Sequence, residues 1–102
     1  MDGAGDSHVR KKLTPGPWTV RAVPNVGLVG HTGYAIDFNE DQEQVVDFVY
    51  EEADAHLIAT SPKLLMALED AVTILGPIGE HIPDVARRIV GYQRIIDQAR
   101  MK

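Results

Sequence analysis

The sequence predicts an α+β fold: an antiparallel meander of three to four short strands, followed by two or three helices packed on one of its faces. Three observations carry that prediction. Between Trp18 and Tyr50, apolar and polar residues alternate in short runs separated by Gly, Pro and Asn. From Glu51 onward the apolar spacing changes to threes and fours, the repeat of a helix. Strands joined by short turns and then followed by helices give a segregated sheet, not a βαβ layer.

A chain of 102 residues buries roughly two thirds of its unfolded surface, enough for one modest core. Residues 13–102 are read as a single α+β domain, with strands within 18–50 and helices at about 51–75 and 84–100. Residues 1–12 are small, polar and charged without periodicity, and are read as a disordered tail. The Arg10-Lys11-Lys12 triplet there is too short for a nucleic-acid arm. No apolar run approaches the ~20 residues of a membrane span, and the N-terminus lacks the apolar region of a secretory signal. The chain has no cysteine, which excludes disulfide scaffolds, thiolate zinc sites and cysteine nucleophiles. A net charge of −5 argues against direct nucleic-acid binding, which needs clustered positive charge.

Taken in order, Thr14-Pro15-Gly16-Pro17-Trp18 forbids a helix and leads into the first strand. Trp18, Val20 and Ala22 alternate with Thr19, Arg21 and Val23, so Trp18 is expected to face the core. Pro24-Asn25 closes this strand. A second strand is centred on Leu28 and Val29, and Gly30-His31-Thr32-Gly33 turns into a third. In the third, Tyr34, Ile36 and Phe38 alternate with Ala35 and Asp37. Residues 39–43 form a polar, acidic turn. In a fourth strand, 44–50, Val46, Phe48 and Tyr50 face one way and Val45, Asp47 and Val49 the other.

The helical region begins with acids suited to the positive end of a helix dipole, Glu51, Glu52 and Asp54. Ser61 is a candidate N-cap and Pro62 a candidate first helical residue. They divide the region into a short helix over about 51–60 and a second over 62–75. The alternative is one helix kinked at Pro62. In the second helix, Leu64, Leu65, Leu68, Ala71, Val72 and Leu75 make a wide apolar stripe. Gly76 is expected as the residue just past its end, with Pro77 preventing continuation. Residues 77–83 are read as a loop, and Asp84 as the cap of a last helix. There Val85, Ile89, Tyr92, Ile96 and Ala99 recur at 4-3-4-3 spacing. That seam is too short for an isolated coiled coil and must dock on the central helix or on its twin in a homo-oligomer.

Charge is unevenly placed. Residues 37–54 hold eight acids and no Lys or Arg; residues 85–102 hold five bases and one acid. Solvated faces of opposite sign account for this, and head-to-tail pairing within or between chains is the sharper alternative. Two candidate binding sets follow. Glu40, Asp41 and Glu43 lie in the acidic run, which can imitate a nucleic-acid backbone toward a basic partner. Arg87, Arg88 and Arg94, with Tyr92, can receive the phosphates of a small anionic nucleotide, since guanidinium forks match phosphate oxygens. Other constellations are weak. Glu52 and His56 are spaced for an i,i+4 ion pair and lack the further ligands of a metal site. His31 and His81 sit in glycine-bearing loops without an assigned partner. Gly27, Gly30 and Gly33 match neither phosphate-binding fingerprint, and Ser61 lacks the nucleophile-elbow pattern.

Two pieces together resemble a known family. The Thr14-Pro15-Gly16-Pro17-Trp18 start and the block Asp54-Ala55-His56-Leu57-Ile58-Ala59-Thr60-Ser61-Pro62-Lys63-Leu64-Leu65-Met66-Ala67-Leu68 are similar to small proteins of tailed bacteriophages and prophages. Those carry a TPGPW-like start and a block close to DA-x-LIAAAPELL-x-AL. Thr60-Ser61 stands in place of two alanines and Lys63 in place of the acid after proline. The resemblance covers residues 14–68, leaves the last helix outside, and brings no catalytic residues.

It implies a phage or prophage accessory protein in the cytoplasm of a bacterial host. The expectation is a non-enzymatic protein without cofactor or metal, a homo-oligomer through the last helix, acting by binding. The expected partner is a host defence complex such as a CRISPR effector, or a nucleotide immune signal. A structural or morphogenetic interaction module without ligand is the alternative.

Overall fold

The computed structural model describes residues 13–102; the segment read above as a tail lies outside them. The order of elements is β1 (Thr19–Pro24), β2 (Thr32–Asp37), β3 (Gln44–Val49), α1 (Glu52–Gly79) and α2 (Pro83–Ala99). The fold is α+β, a three-stranded antiparallel sheet followed by two helices. The described residues form two compact units, Thr14–Lys63 and Leu64–Lys102, and α1 begins in the first and ends in the second.

In the first unit the sheet order is β1-β2-β3. Thr19 faces Asp37 and Val23 faces Gly33 across β1 and β2. The central strand is buried on both faces: Ala35, Ile36 and Asp37 are all buried. Trp18 is half-buried, and its indole N–H donates to the Thr14 carbonyl at 3.1 Å. This bond closes the proline-rich start onto itself.

The strand expected around Leu28 and Val29 is a turn instead. Asn25, Gly27 and Gly30 all have positive φ, which an extended strand excludes. The Asn25 side chain accepts from the Gly30 N–H at 2.8 Å, and the Val26 N–H donates to the His31 carbonyl. Leu28 and Val29 are left exposed. Val26 turns inward: a Cβ on Gly33 would meet three of its side-chain atoms at 3.1–3.3 Å.

The alternation expected in the last strand also fails. Pairing shifts by one residue between Tyr34 and Ile36, and again between Ile36 and Asp37. Each shift places an extra residue in β3, as a bulge does. Val46 faces Ile36 and Val49 faces Tyr34, three residues apart, while Phe48 and Tyr50 are exposed and meet edge to face.

The central helical region is one helix of 28 residues, not two. Ser61 is not a cap. Its hydroxyl donates to the Ile58 carbonyl at 2.7 Å, the acceptor that Pro62 leaves without an N–H. Gly76 and Pro77 do not stop the helix, which continues to Gly79. The loop expected over 77–83 shrinks to residues 80–82, where the His81 and Ile82 amides both donate to the Ile78 carbonyl. Asp84 does not cap α2. Ile82 holds that position and Pro83 opens the helix, its missing N–H being one of the amides unpaired there anyway.

In the second unit, Leu65, Leu68, Ala71, Val72 and Leu75 form the half-buried stripe of α1, and Leu64 is exposed. On α2, Val85, Ile89 and Tyr92 are half-buried and Ile96 is buried, whereas Ala99 is exposed. A Cβ on Gly79 would lie 2.9 Å from Ile89 Cδ1 and 3.4 Å from Ala86 Cα, so the two helices approach closely there. Arg100 donates to both carboxylate oxygens of Glu69, at 2.5 and 2.7 Å.

Candidate functional site

The acidic turn between β2 and β3 is built on Asn39. Its side-chain oxygen accepts from the amides of Asp41 and Glu43, at 3.0 and 3.1 Å. Its side-chain nitrogen donates to Glu43 Oε1 at 2.6 Å. The Phe38 amide donates to the Glu43 carbonyl, and Gln42 takes positive φ to close the loop. These bonds fix the backbone and leave Glu40 and Asp41 exposed. Glu43 is exposed too, but one of its oxygens is held by Asn39. A shallow depression beside the turn is lined by Pro17, Thr19, Phe38, Asn39 and Glu40.

Asp37 does not belong to this acidic surface. It is only 4% exposed, and Arg21 Nε and Nη2 donate to it at 2.8 and 3.3 Å. The hydrogen bond to Asp37 raises the Arg21 pKa above its ordinary value, against a smaller opposing effect of burial. With its amide oriented to satisfy both groups, Gln44 accepts from Arg21 Nη2 at 2.9 Å and donates to Asp47 Oδ1 at 3.1 Å. One face of the sheet thus carries a polar cluster drawn from all three strands. Sequence reasoning missed it, although Arg21 and Asp37 both occupy positions facing away from the alternating apolar set. Opposite charges at such positions on paired strands are the signal.

The α2 residues are less concentrated. Arg87 is paired with Asp84 one turn earlier, both well exposed. Arg88 and Arg94 are exposed, and neither makes a salt bridge to another described residue. Arg94 borders a shallow depression with Ile89, Val90, Gln93 and Asp97, where Gln93 donates to Asp97 at 2.9 Å. Tyr92 is half-buried on the seam side. Glu52 and His56 form the expected i,i+4 pair, 3.6 Å apart and exposed.

The family described as Salmonella phage P22 protein Y8K6 matches residues 1–100. The chain belongs to that family. The Y8K6 match extends past residue 68 and takes in α2, so the last helix is part of the family's own architecture. No curated protein and no solved structure matches the chain. Among the described residues of this Y8K6 family member, no helix is long and apolar enough to cross a membrane.

Proposed function

We propose that this phage protein is a non-enzymatic accessory factor that acts by binding, with the acidic β2–β3 turn as its contact surface. The observation that carries the reading is the ordering of that turn by Asn39, which holds Glu40 and Asp41 outward without drawing on a cation of the first unit. A charged loop fixed before binding loses less conformational freedom on docking than a mobile one. Fixed carboxylates also steer a basic partner by complementary potential. The partner class that fits is a host protein complex with a basic, nucleic-acid-binding surface, and an antiviral defence complex such as a CRISPR effector is the leading member.

The alternative ligand, a small anionic nucleotide held by Arg87, Arg88, Arg94 and Tyr92, has less in its favour. Arg87 is engaged by Asp84, and Asp97 stands beside Arg94. A morphogenetic module predicts partners among phage proteins alone.

The test is capture of partners from infected host lysate at low salt, with mass spectrometry of bound proteins and small molecules. The E40K/D41K double variant is expected to lose the captured host complex, and the wild-type interaction to weaken steeply with added salt. Unchanged capture by the variant overturns the acidic-turn reading. Recovery of phage structural proteins only would favour the morphogenetic module.

A further inference from the structure

The acidic turn borders a concavity, and of its three candidate acids Glu40 alone lines it. The depression has a volume of about 370 Å³, and the described residues around it are Pro17, Thr19, Phe38, Asn39 and Glu40, all in the first unit. That is the small end of the range for ligand clefts, with room for one long side chain. Its two walls come from separate segments, and each is tied down. The pairing of Thr19 with Asp37 brings the start of β1 beside the end of β2. Pro17 lies inside the loop that the Trp18 indole closes onto the Thr14 carbonyl. On the opposite wall, the Phe38 amide donates to the Glu43 carbonyl, and the Asn39 side-chain oxygen accepts from the Asp41 and Glu43 amides.

The lining offers few polar groups, and they are unequal. The Asn39 side chain is engaged through both its oxygen and its nitrogen. One Glu43 oxygen is held by that nitrogen. Glu40 is exposed and makes no salt bridge to another described residue. Pro17 and Phe38 supply apolar lining, and Thr19 a hydroxyl.

We propose that this depression receives an arginine side chain of the protein partner, with Glu40 binding its guanidinium. The proposal rests on the acidic-turn reading and narrows it to one contact. Charge complementarity selects a cation, and the apolar lining selects which cation. A guanidinium is planar and weakly hydrated, and it stacks on aromatic and apolar surface while its edge donates to a carboxylate. A lysine ammonium is a compact, strongly hydrated charge, so it loses more on leaving water for such a lining. The Thr19 hydroxyl is a second acceptor for one of the five guanidinium N–H groups. Asp41 does not line the depression, so it attracts the partner at a distance and makes no contact with the bound side chain.

The test is a nuclear magnetic resonance titration of the full chain, isotopically labelled, with the capped peptides Gly-Arg-Gly and Gly-Lys-Gly at equal ionic strength. Saturable shifts are expected at the amides of Thr19, Phe38, Asn39 and Glu40, with the arginine peptide binding more tightly than the lysine peptide. Glu40→Gln should weaken the arginine peptide about two- to fivefold, the range for a partly exposed ion pair, and Asp41→Asn should leave it nearly unchanged. Phe38→Leu keeps the lining apolar and should remove the preference for arginine while the lysine peptide binds as before. The unperturbed spectrum of each variant away from the turn checks that it is folded.

Absence of saturable shifts at these amides overturns the proposal. So does equal binding of the two peptides, or equal weakening by Glu40→Gln and Asp41→Asn, which is the behaviour of a diffuse acidic field. In that last case the E40K/D41K variant still loses the captured host complex, and the acidic-turn reading stands without the arginine contact. Capture that survives E40K/D41K removes the broader reading, whatever the peptides do.

Discussion

Ser61 Oγ donates to the Ile58 carbonyl over 2.7 Å, and Ile58 is the residue whose carbonyl Pro62 cannot reach. A proline within a helix removes one i→i−4 bond and crowds the preceding turn. The serine hydroxyl replaces the lost donor from one position earlier. This pairing explains why Ser61-Pro62 lies within an unbroken helix and does not mark a boundary between two.

A double-mutant cycle measures the compensation. Ser61→Ala should cost about 1 kcal/mol, the net worth of one intramolecular hydrogen bond. Pro62→Ala should stabilise the chain, because it restores the amide donor. Combined with Pro62→Ala, the Ser61→Ala change should cost close to nothing, since the new amide already satisfies Ile58. Equal costs with and without the proline, read by urea denaturation, would show that the hydroxyl and the proline act independently.

The Arg21–Asp37 pair makes a different prediction, one about burial. Removing Arg21 strands a carboxylate that is 4% exposed, and a buried charge without its partner is strongly destabilising. Arg21→Ala should therefore lower the thermal midpoint clearly. Arg87→Ala also removes a salt bridge, but with both partners about three-quarters exposed it should change stability by about 0.5 kcal/mol or less. Similar midpoints for the two variants would mean that Asp37 finds another partner once Arg21 is gone.

The errors in reading the sheet from sequence share one origin. Leu28 and Val29, set among glycines, have the composition of a strand, yet the positive φ of Gly27 and Gly30 folds them into a turn. Inserting a strand there separates β1 from β2 and hides the adjacency of Arg21 and Asp37. The β3 bulges are likewise silent in a period-2 pattern, because an added residue changes which side chains point inward without changing composition.

The helices were legible where their apolar faces are long, as with Val85, Ile89, Tyr92 and Ile96. Their ends were less so. Gly76-Pro77 and Ser61-Pro62 are stop signals by local preference, and the helix runs through both. Of the candidate site, Glu40 and Asp41 stand exposed as the acidic run implied. Nothing in composition indicated that Asn39 would fix the backbone carrying them.

The Glu69–Arg100 pair sets an acid limit on the helical unit. The two hydrogen bonds from Arg100 hold the Glu69 carboxyl below its ordinary pKa; burial opposes this, and the charges of Arg100 and Lys102 assist. The same bond raises the Arg100 pKa. A carboxyl whose pKa is lower folded than unfolded binds fewer protons in the native state. Its stabilisation is complete above the unfolded value of about 4.3 and is lost as pH falls through the lower folded value. Glu69→Gln removes that proton linkage. Its thermal midpoint should lie below wild type at pH 6, and the gap should close as pH falls below about 4. Because the pair is about one-third exposed, added salt should narrow the pH 6 gap as well. A gap that stays constant from about pH 6 to about pH 3 would show that Glu69 contributes packing alone.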